Sequence, residues 1–243
     1  MTISNPGLID ERETRQRLLD AAAQLFAEHG FKDVSIREIC AKAGGANVAA
    51  VNYYFRDKAG LYRELLEYML ARWVAERDRH AQILEGKPAE EKLHLYLRWF
   101  VGNLLGERED ERDVLFGKIL SREMADPTPD FALVVEKGMR PNFERLANII
   151  SELMGLPCQH AAVMNCTMST MGQCLIYGST RQMSKYFVPS HVQFTPEVID
   201  GIARHLTQFS LAGIRAVTQQ NRESGAAGKA GPCGAQTPSQ EHG

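Results

Sequence analysis

The stretch GGANVAAVNYYFRDKAGLY, residues 44–62, combines small residues, two amide side chains and three consecutive aromatic residues. A fully buried helix would exclude the amides, and a fully solvated helix would exclude the tyrosines. Because Asn47 is a favourable N-cap, the stretch predicts a short helix from Asn47 to about Tyr54, preceded by a tight glycine turn.

The two sides of this predicted helix differ in character. The side suited to packing on other helices consists of Val48, Val51 and Phe55. The opposite side consists of Ala49, Ala50 and Tyr53, with Asn52 and Tyr54 on its flanks. Small residues let a helix approach the floor of the major groove, where asparagine pairs with base edges. Tyrosine hydroxyls reach phosphates while their rings pack on the protein. The pattern is typical of a DNA-recognition helix.

Two helices are predicted before this one. Residues 14–29 have helical apolar spacing, and Gly30 ends the helix. SIREICAKAGG, residues 35–45, opens with Ser35 and has Glu38 three positions later, which is a capping box. The first 55 residues therefore predict a helix-turn-helix unit with a supporting first helix.

The rest of the chain is also helical in pattern, and alternating strand patterns are almost absent. Further helices are predicted over about 57–85, 88–106, 112–124, 129–154 with a kink or split near Pro141, 159–177 as a largely buried helix, and 196–221. The fold class is all-α with about nine helices. The expected domains are a flexible N-terminal arm (1–9), a helix-turn-helix DNA-binding domain (10–57), a helical ligand-binding and dimerisation domain (58–222) and a disordered tail (223–243).

Composition restricts the class of protein. The formal net charge is −2, and the first 63 residues carry nine Lys and Arg against eight Asp and Glu, so DNA binding requires cations arranged on one face. Five scattered cysteines argue against a disulfide framework. The sequence has neither an apolar run able to span a bilayer nor a signal peptide, so we expect a cytoplasmic protein with no membrane contact.

The N-terminal motifs resemble those of the TetR family of transcriptional repressors. The matching elements are LFAEHGF (25–31), SIREICAKAG (35–44), NVAAVNYYF (47–55) and DKAGLY (57–62). NVAAVNYYF is similar to the subgroup that includes the bacterial regulator of cefoperazone and chloramphenicol sensitivity. The turn Gly44-Gly45-Ala46 is one residue longer than the commonest family spacing, and Asn52 stands where most members have tyrosine. These departures leave the register on the bases and the operator sequence undetermined.

The resemblance implies a set of DNA contacts. The groove contacts are Asn47, Ala49, Ala50, Asn52 and Tyr53, and the phosphate contacts are Tyr54, Lys58, Ser35, Arg37 and Thr14. Helix N-termini at Ser35 and Thr14 would assist phosphate binding. For single residues the alternative is an ordinary surface or capping role, and for Tyr54 it is partial core packing.

TetR-like proteins use their remaining helices to dimerise and to bind a small molecule, and helix four transmits the signal. Residues that suit a mostly apolar pocket with polar anchors are Met69, Arg72, Trp73, Trp99, Phe100, Asn103, Phe116, Ile119 and Arg122. The alternative for each is plain core packing. Arg122 and Glu123 form either pocket anchors or a surface ion pair.

The last two helices carry apolar residues at helical spacing. The expected interface residues of a homodimer are Met164, Met168, Met171, Leu175, Ile202, Leu206 and Phe209. The alternative is that these helices simply pack on the body of one chain.

Other functions have less support. Cys158, His160, Cys166 and Cys174 lack zinc-ligand spacing, so buried thiols are favoured over a metal site. Catalytic motifs are not found, and neither an enzyme nor a cofactor is expected. The resemblance implies a dimeric repressor that binds a palindromic operator and is released by a small molecule, and the candidate pocket residues favour a largely apolar one. The alternative is a helical small-molecule-binding or interaction protein that does not bind DNA.

Overall fold

The computed structural model describes residues 6–106, 111–179 and 194–227, and these ranges form helices and no strand. In chain order the elements are α1 (Pro6–His29), α2 (Ile36–Lys42), α3 (Val48–Phe55), α4 (Lys58–Leu84), α5 (Ala89–Leu105), α6 (Glu111–Ala125), α7 (Phe131–Val134), a π-helical turn (Val135–Met139), α8 (Arg140–Met154), α9 (Ala161–Ser179) and α10 (Pro196–Ala227). Taken as one helix, α7, the π turn and α8 bring the described helices to nine. The predicted all-α class is confirmed.

The first three helices and the start of α4 share one hydrophobic core, and we call this unit the head. Its buried members include Leu18, Ala22, Phe26, Ile39, Val51, Leu61 and Leu65. The same core continues into α6 and α7 through Ile119 and Val134. It therefore extends beyond the boundary predicted after residue 57, because Leu61 and Leu65 on the first turns of α4 belong to it.

Local hydrogen bonds and two glycines fix the start of α2 and the turn between α2 and α3. Ser35 Oγ accepts from the Glu38 backbone N–H at 3.3 Å, and the Glu38 carboxylate accepts from the Ser35 N–H at 2.7 Å, as predicted. Gly44 and Gly45 have φ of 86° and 80°, a region that favours glycine. Asn47 Oδ1 then caps α3 by accepting from the Ala49 N–H at 2.9 Å.

The closest approach of α3 to α4 is at Gly60. Asp57 caps α4 by accepting from the Gly60 N–H at 2.7 Å. A Cβ at position 60 would lie 1.9 Å from the Phe55 carbonyl oxygen, so only glycine fits here. The packing of α3 on α4 therefore requires glycine at position 60.

The second core lies among α5, α8, α9 and α10, which with the rest of α4 form the body. Its buried members include Leu93, Tyr96, Leu97, Val101, Ile150, Val163 and Ile199. Tyr96 is fully buried and its hydroxyl donates to the Asn142 carbonyl at 3.0 Å. This bond ties α5 to α8.

The π-helical turn precedes Pro141, where the sequence predicted a kink or split. A Cβ at Gly138 would lie 2.7 Å from Trp73 Cζ3, so glycine lets α4 pack directly against the turn. Proline has no N–H for the regular helical ladder, which explains why the irregular turn is next to it.

Two helix ends differ from prediction. α1 begins at Pro6 rather than at residue 14, because proline suits a first helical position and residues 8–29 contain neither glycine nor proline. Residues 6–9, expected in the flexible arm, thus form the first turn of α1. α10 continues past residue 221 to Ala227, so residues 223–227 of the expected tail are helical. Residues 1–5 and 228–243 lie outside the described residues. None of the described helices is both long and apolar enough to cross a membrane.

Candidate nucleic-acid interface

The exposed face of α3 carries polar and small side chains. Tyr53 is 73% exposed, and Asn47, Ala49 and Asn52 are also exposed. Val51 and Phe55 are buried as predicted, whereas Val48 is exposed and Ala50 is half-buried. The predicted packing of Val48 is wrong because Val48 occupies the first helical position, beyond the edge of the head core.

The aromatic residues of α3 stack in sequence. The rings of Tyr53 and Tyr54 lie 5.0 Å apart at 75°, and those of Tyr54 and Phe55 lie 6.0 Å apart. Tyr54 is half-buried and packs against the head core. The exposed Tyr53 ring therefore contacts a ring that is itself anchored against the head core.

Lys58 has an internal role that the sequence did not indicate. Its ammonium donates to the Val34 carbonyl at 2.7 Å and to the Lys32 carbonyl at 3.3 Å. It also lies 4.5 Å from the centroid of the Phe31 ring. The ammonium therefore links the start of α4 to the loop before α2 and retains at most one N–H for a phosphate.

The other predicted phosphate contacts differ in their surroundings. Ser35 and Arg37 are exposed at the start of α2, where the helix N-terminus favours an anion. Thr14 lies within α1, and its hydroxyl accepts from Arg17 Nη2 at 3.1 Å. The expectation that Thr14 marks a helix N-terminus is wrong, because α1 starts eight residues earlier.

Three exposed cations near the turn were missed by sequence reasoning. They are Arg17, Lys42 and Arg56. Arg17 Nη1 lies 3.8 Å from the position that a Cβ of Gly44 would occupy, and Arg56 caps the end of α3 with φ of 73°. Their positions in the sequence could have indicated them. Arg17 lies on α1 beside the glycine turn, Lys42 ends α2, and Arg56 follows α3.

Polar contacts join the head to α6 and to the loop after it. Arg122 Nε donates to the Ala27 carbonyl at 3.1 Å, and Arg122 Nη2 donates to the Glu28 carbonyl. Lys32 pairs with Asp126 at 2.6 Å. Because a cation at a helix C-terminus meets the negative end of the dipole, Arg122 caps α1 favourably.

Glu123 makes the buried part of this junction. It is 1% exposed and accepts from the Tyr62 hydroxyl at 2.5 Å and from the Thr128 N–H at 3.1 Å. Burial raises the pKa of Tyr62, and the hydrogen bond to Glu123 raises it further. Arg122 and Glu123 form neither pocket anchors nor a surface ion pair, because they bind different parts of the head.

The nine predicted ligand residues do not converge on one pocket. Met69, Arg72 and Phe116 line a cavity of about 260 Å³ between α1, α4 and α6. The remaining six are core or surface residues: Ile119 in the head core with Trp73 packed against it, Phe100 in the body core with Trp99 packed against it, Asn103 exposed and bonded to the Trp99 carbonyl, and Arg122 on α6, where it donates to α1. The aromatic stripe of α5 is core, as the alternative reading held.

His80 is a buried polar residue that the sequence analysis did not single out. Its ring stacks on Trp99 with centroids 4.9 Å apart. Burial, helped by the nearby Arg145 guanidinium, lowers the pKa of His80 to about 4. Within the described residues, His80 Nδ1 and Trp99 Nε1 have no hydrogen-bond partner.

One face of α9 and α10 is apolar and exposed. Met168 is 62% and Phe209 is 61% exposed, and Met164 and Leu175 are exposed as well. Ile176, which the sequence analysis missed, is 53% exposed. The prediction that most of α9 is buried is therefore not met on this face of the single chain.

The other predicted interface residues lie deeper. Leu206 is 3% exposed in the body core, which corrects its predicted position in an interface. Met171 and Ile202 are half-buried against the same core. A groove of about 530 Å³ runs between α9 and α10 beside Phe209.

Three of the four described cysteines are buried like small hydrophobic residues, whereas Cys158 is half-buried and its thiol donates to Asn148 Oδ1 at 2.9 Å. Cys40, Cys166 and Cys174 are buried, and burial raises the pKa of Cys174 to about 12. Among the residues that the structure describes, no group of three or more His, Cys, Asp or Glu side chains is arranged to hold a metal ion. Cys233 lies outside the described residues.

Comparison with known proteins finds matches to bacterial transcriptional regulators over both parts of the chain. Residues 18–65 match the model of the bacterial regulatory proteins of the tetR family, and residues 89–214 match the C-terminal domain of the HTH-type transcriptional dual regulator CecR. The chain is 28% identical to CecR from Shigella flexneri over 183 residues, which span 72% of this chain and 80% of that protein.

Solved structures share the fold. FadR from Bacillus subtilis, in complex with stearoyl-CoA, is 16% identical with a TM-score of 0.58 and covers 82% of this chain and 98% of its own. AibR, in complex with isovaleryl coenzyme A and operator DNA, is 17% identical with a TM-score of 0.54 and covers 78% of this chain and 96% of its own. The two domain matches, of which the CecR match alone spans more than half of the chain, show that this protein belongs to the TetR family of transcriptional regulators.

Proposed function

We propose that this regulator is a repressor that binds a palindromic operator as a homodimer and is released by a small molecule. The observation that carries the proposal is the exposed face of α3, where Asn52 and Tyr53 lie beside Ala49 on a helix fixed by caps at both ends. A rigid helix with a small, polar face suits entry into the major groove.

The roles of the contacts follow from their chemistry. Ala49 and the half-buried Ala50 allow close approach, and the Asn52 amide pairs with base edges. Asn47 keeps its amide N–H groups for DNA, since its oxygen already caps α3. Tyr53 and Tyr54 direct hydroxyls to phosphates, with Ser35, Arg37 and one N–H of Lys58 as backbone contacts. Thr14 is the weakest contact because Arg17 already engages it.

The dimer is expected to form through α9 and α10. Exposed methionine, leucine, isoleucine and phenylalanine side chains on one face favour a protein partner over solvent. A two-fold axis through this face would present two heads at fixed spacing, so the operator half-sites would be related by the same symmetry.

The effector is expected to be a largely apolar small molecule that changes the orientation of the heads. FadR and AibR were each solved with an acyl coenzyme A, which supports a ligand-binding role for this body without fixing the ligand. Release requires that the effector bind more tightly to a dimer shape that does not fit the operator.

A fluorescence anisotropy titration tests the proposal. The protein is titrated into labelled DNA from upstream of its own gene, with scrambled DNA as competitor. Tyr53→Ala is expected to weaken specific binding by about 1–2 kcal/mol, or roughly tenfold. Ile83→Ala is the matched control, because Ile83 is 54% exposed on α4 and lies outside the head. If a genome-wide selection also yields no preferred sequence, the DNA-binding proposal fails and a ligand-binding protein without DNA contact takes its place.

A further inference from the structure

A single residue, Arg56, joins the end of α3 to the N-cap of α4. Its N–H donates to the Asn52 carbonyl at 3.1 Å, so it closes the last turn of α3. On one side of it Phe55 is buried in the head core, and on the other Asp57 accepts from the Gly60 N–H at 2.7 Å. Because both neighbours are held, the change of direction between the two helices falls on Arg56.

The backbone of Arg56 has a conformation that suits glycine. Its φ is 73° and its ψ is −48°, which lies near a rare and strained type of γ-turn. Over the described residues 6–106, 111–179 and 194–227, the other residues with positive φ are all glycines. Glycine adopts positive φ readily, whereas a Cβ there crowds the backbone. Since strained residues cluster at functional sites, arginine in this place indicates a role for its side chain.

The Arg56 guanidinium is available to a partner outside the chain. The side chain is exposed, and among the described residues it forms neither an ion pair nor a side-chain hydrogen bond. Lys58 is different, because its ammonium donates to the Val34 and Lys32 carbonyls at 2.7 and 3.3 Å. The lysine that the family resemblance assigns to a phosphate is thus largely engaged inside the head, whereas the cation two residues before it is not.

We propose that Arg56 binds a DNA phosphate beside the groove that α3 enters, and that arginine is present there although glycine would give a more stable head. The proposal rests on the proposed function, because it requires α3 to contact DNA. The planar guanidinium offers N–H groups in a geometry that matches phosphate oxygens, and its charge strengthens these bonds. Arg56 would thereby supply the phosphate contact at the start of α4 for which Lys58 retains at most one N–H.

DNA titrations at several salt concentrations test the contact. The parent, Arg56→Gly and Arg56→Ala are each titrated into labelled upstream DNA and into a labelled scrambled duplex. A phosphate contact acts on any sequence, so both variants are expected to bind both DNAs about tenfold more weakly. The slope of log Kd against log salt concentration should fall by about one for each head. Arg56→Lys should restore the slope, because it restores the charge.

Three results would overturn the contact. The first is parental affinity and salt slope in Arg56→Gly. The second is a loss confined to upstream DNA, which would indicate a base contact instead. The third is weaker binding with the parental salt slope, which would mean that Arg56 acts only on the shape of the junction. Arg79→Ala is the matched control, since Arg79 is an exposed cation on α4 about 30 Å beyond Lys58 and should leave both quantities as in the parent.

Thermal denaturation without DNA tests the claim that glycine is favoured at position 56. Arg56→Gly and Arg56→Ala both lack the guanidinium, but only the glycine variant lacks the Cβ. We expect Arg56→Gly to melt about 2–4 °C above Arg56→Ala, although the two bind DNA equally weakly. A glycine variant that is no more stable than the alanine variant would overturn the claim of backbone strain.

The repressor proposal and the Arg56 proposal fail separately. If neither upstream DNA nor a genome-wide selection gives a preferred sequence, the repressor role fails, and the salt slope on the scrambled duplex still decides whether Arg56 contacts phosphate. If the parent prefers an operator and Arg56→Gly binds it with parental affinity and salt slope, only the Arg56 contact fails.

Discussion

The α3 face and the α9–α10 face are both exposed, yet their side chains are opposite in character. The α3 face presents Asn52, Ala49 and the hydroxyl of Tyr53. The α9–α10 face presents Met168 and Phe209. Amides and small residues suit a hydrated, charged partner such as DNA, whereas exposed methionine and phenylalanine suit an apolar protein surface. Exposure alone does not distinguish the two faces, whereas the chemistry of their exposed atoms does.

The largest expected effect tests whether the two faces are independent. Gly60→Ala places a Cβ 1.9 Å from the Phe55 carbonyl, so we expect about 3 kcal/mol or more of destabilisation and loss of operator binding. Association through α9 and α10 is expected to remain, because their core is separate from the head core. Thermal denaturation, operator titration and sedimentation measure the three quantities.

The matched control is Gly117→Ala on α6, where an added Cβ meets nothing within 4 Å. This variant should be as stable as the parent or more stable, because alanine favours helix. A Gly60→Ala protein with parental stability and operator affinity would show that α3 and α4 tolerate a wider separation.

The next effect addresses the apolar face. Phe209→Asp puts a charge where the dimer proposal needs an apolar contact, and we expect association to weaken by about 3 kcal/mol, or roughly 100-fold. Sedimentation equilibrium measures this change. Ile83→Asp, an equally exposed apolar site on α4, should leave association unchanged. If Phe209→Asp associates like the parent, the α9–α10 face has another use.

A third effect is the pH dependence of folding stability that arises from His80 on α4. Burial lowers the pKa of His80 from 6.5 to about 4, so the unfolded chain binds a proton more readily than the folded one. Stability is therefore retained above pH 6.5 and is lost as the pH falls towards 4, by at most about 3 kcal/mol.

Denaturant titrations across this pH range measure the loss. His80→Leu should reduce the slope of stability against pH in this window, because leucine binds no proton. An unchanged slope in His80→Leu would place the acid-sensitive group elsewhere.

The smallest effect concerns the contact between α1 and α6. Arg122→Gln removes the cation that caps α1, and we expect a loss of about 1 kcal/mol in stability. Lys118→Gln, at an exposed cation on the same helix, should have little effect. Chemical denaturation distinguishes them, and equal losses would mean that the general charge of α6 matters rather than the contact.

The sequence was sufficient for features set by neighbours along the chain. The capping box at Ser35, the glycine turn and the N-cap at Asn47 depend on residues at most four positions apart, and all three were found as predicted. The start of α1 was missed because sequence reasoning began from apolar spacing, which is absent from the first turns.

The remaining errors concern contacts distant in sequence. Lys58 binds carbonyls more than twenty positions away, and Arg122 binds carbonyls of α1 more than ninety positions away. Leu206 and Phe209 lie on one helix three positions apart, yet one is core and the other is exposed. Periodicity predicted an apolar helix without showing which part of it the same chain would cover.

The contacts of Arg122 have a consequence for how this regulator can evolve. Its donors end on backbone carbonyls of Ala27 and Glu28, and every residue type supplies such a carbonyl. The tie between α1 and α6 is therefore insensitive to sequence drift at those two positions of α1. Mutations on α3 can accumulate without removing this contact.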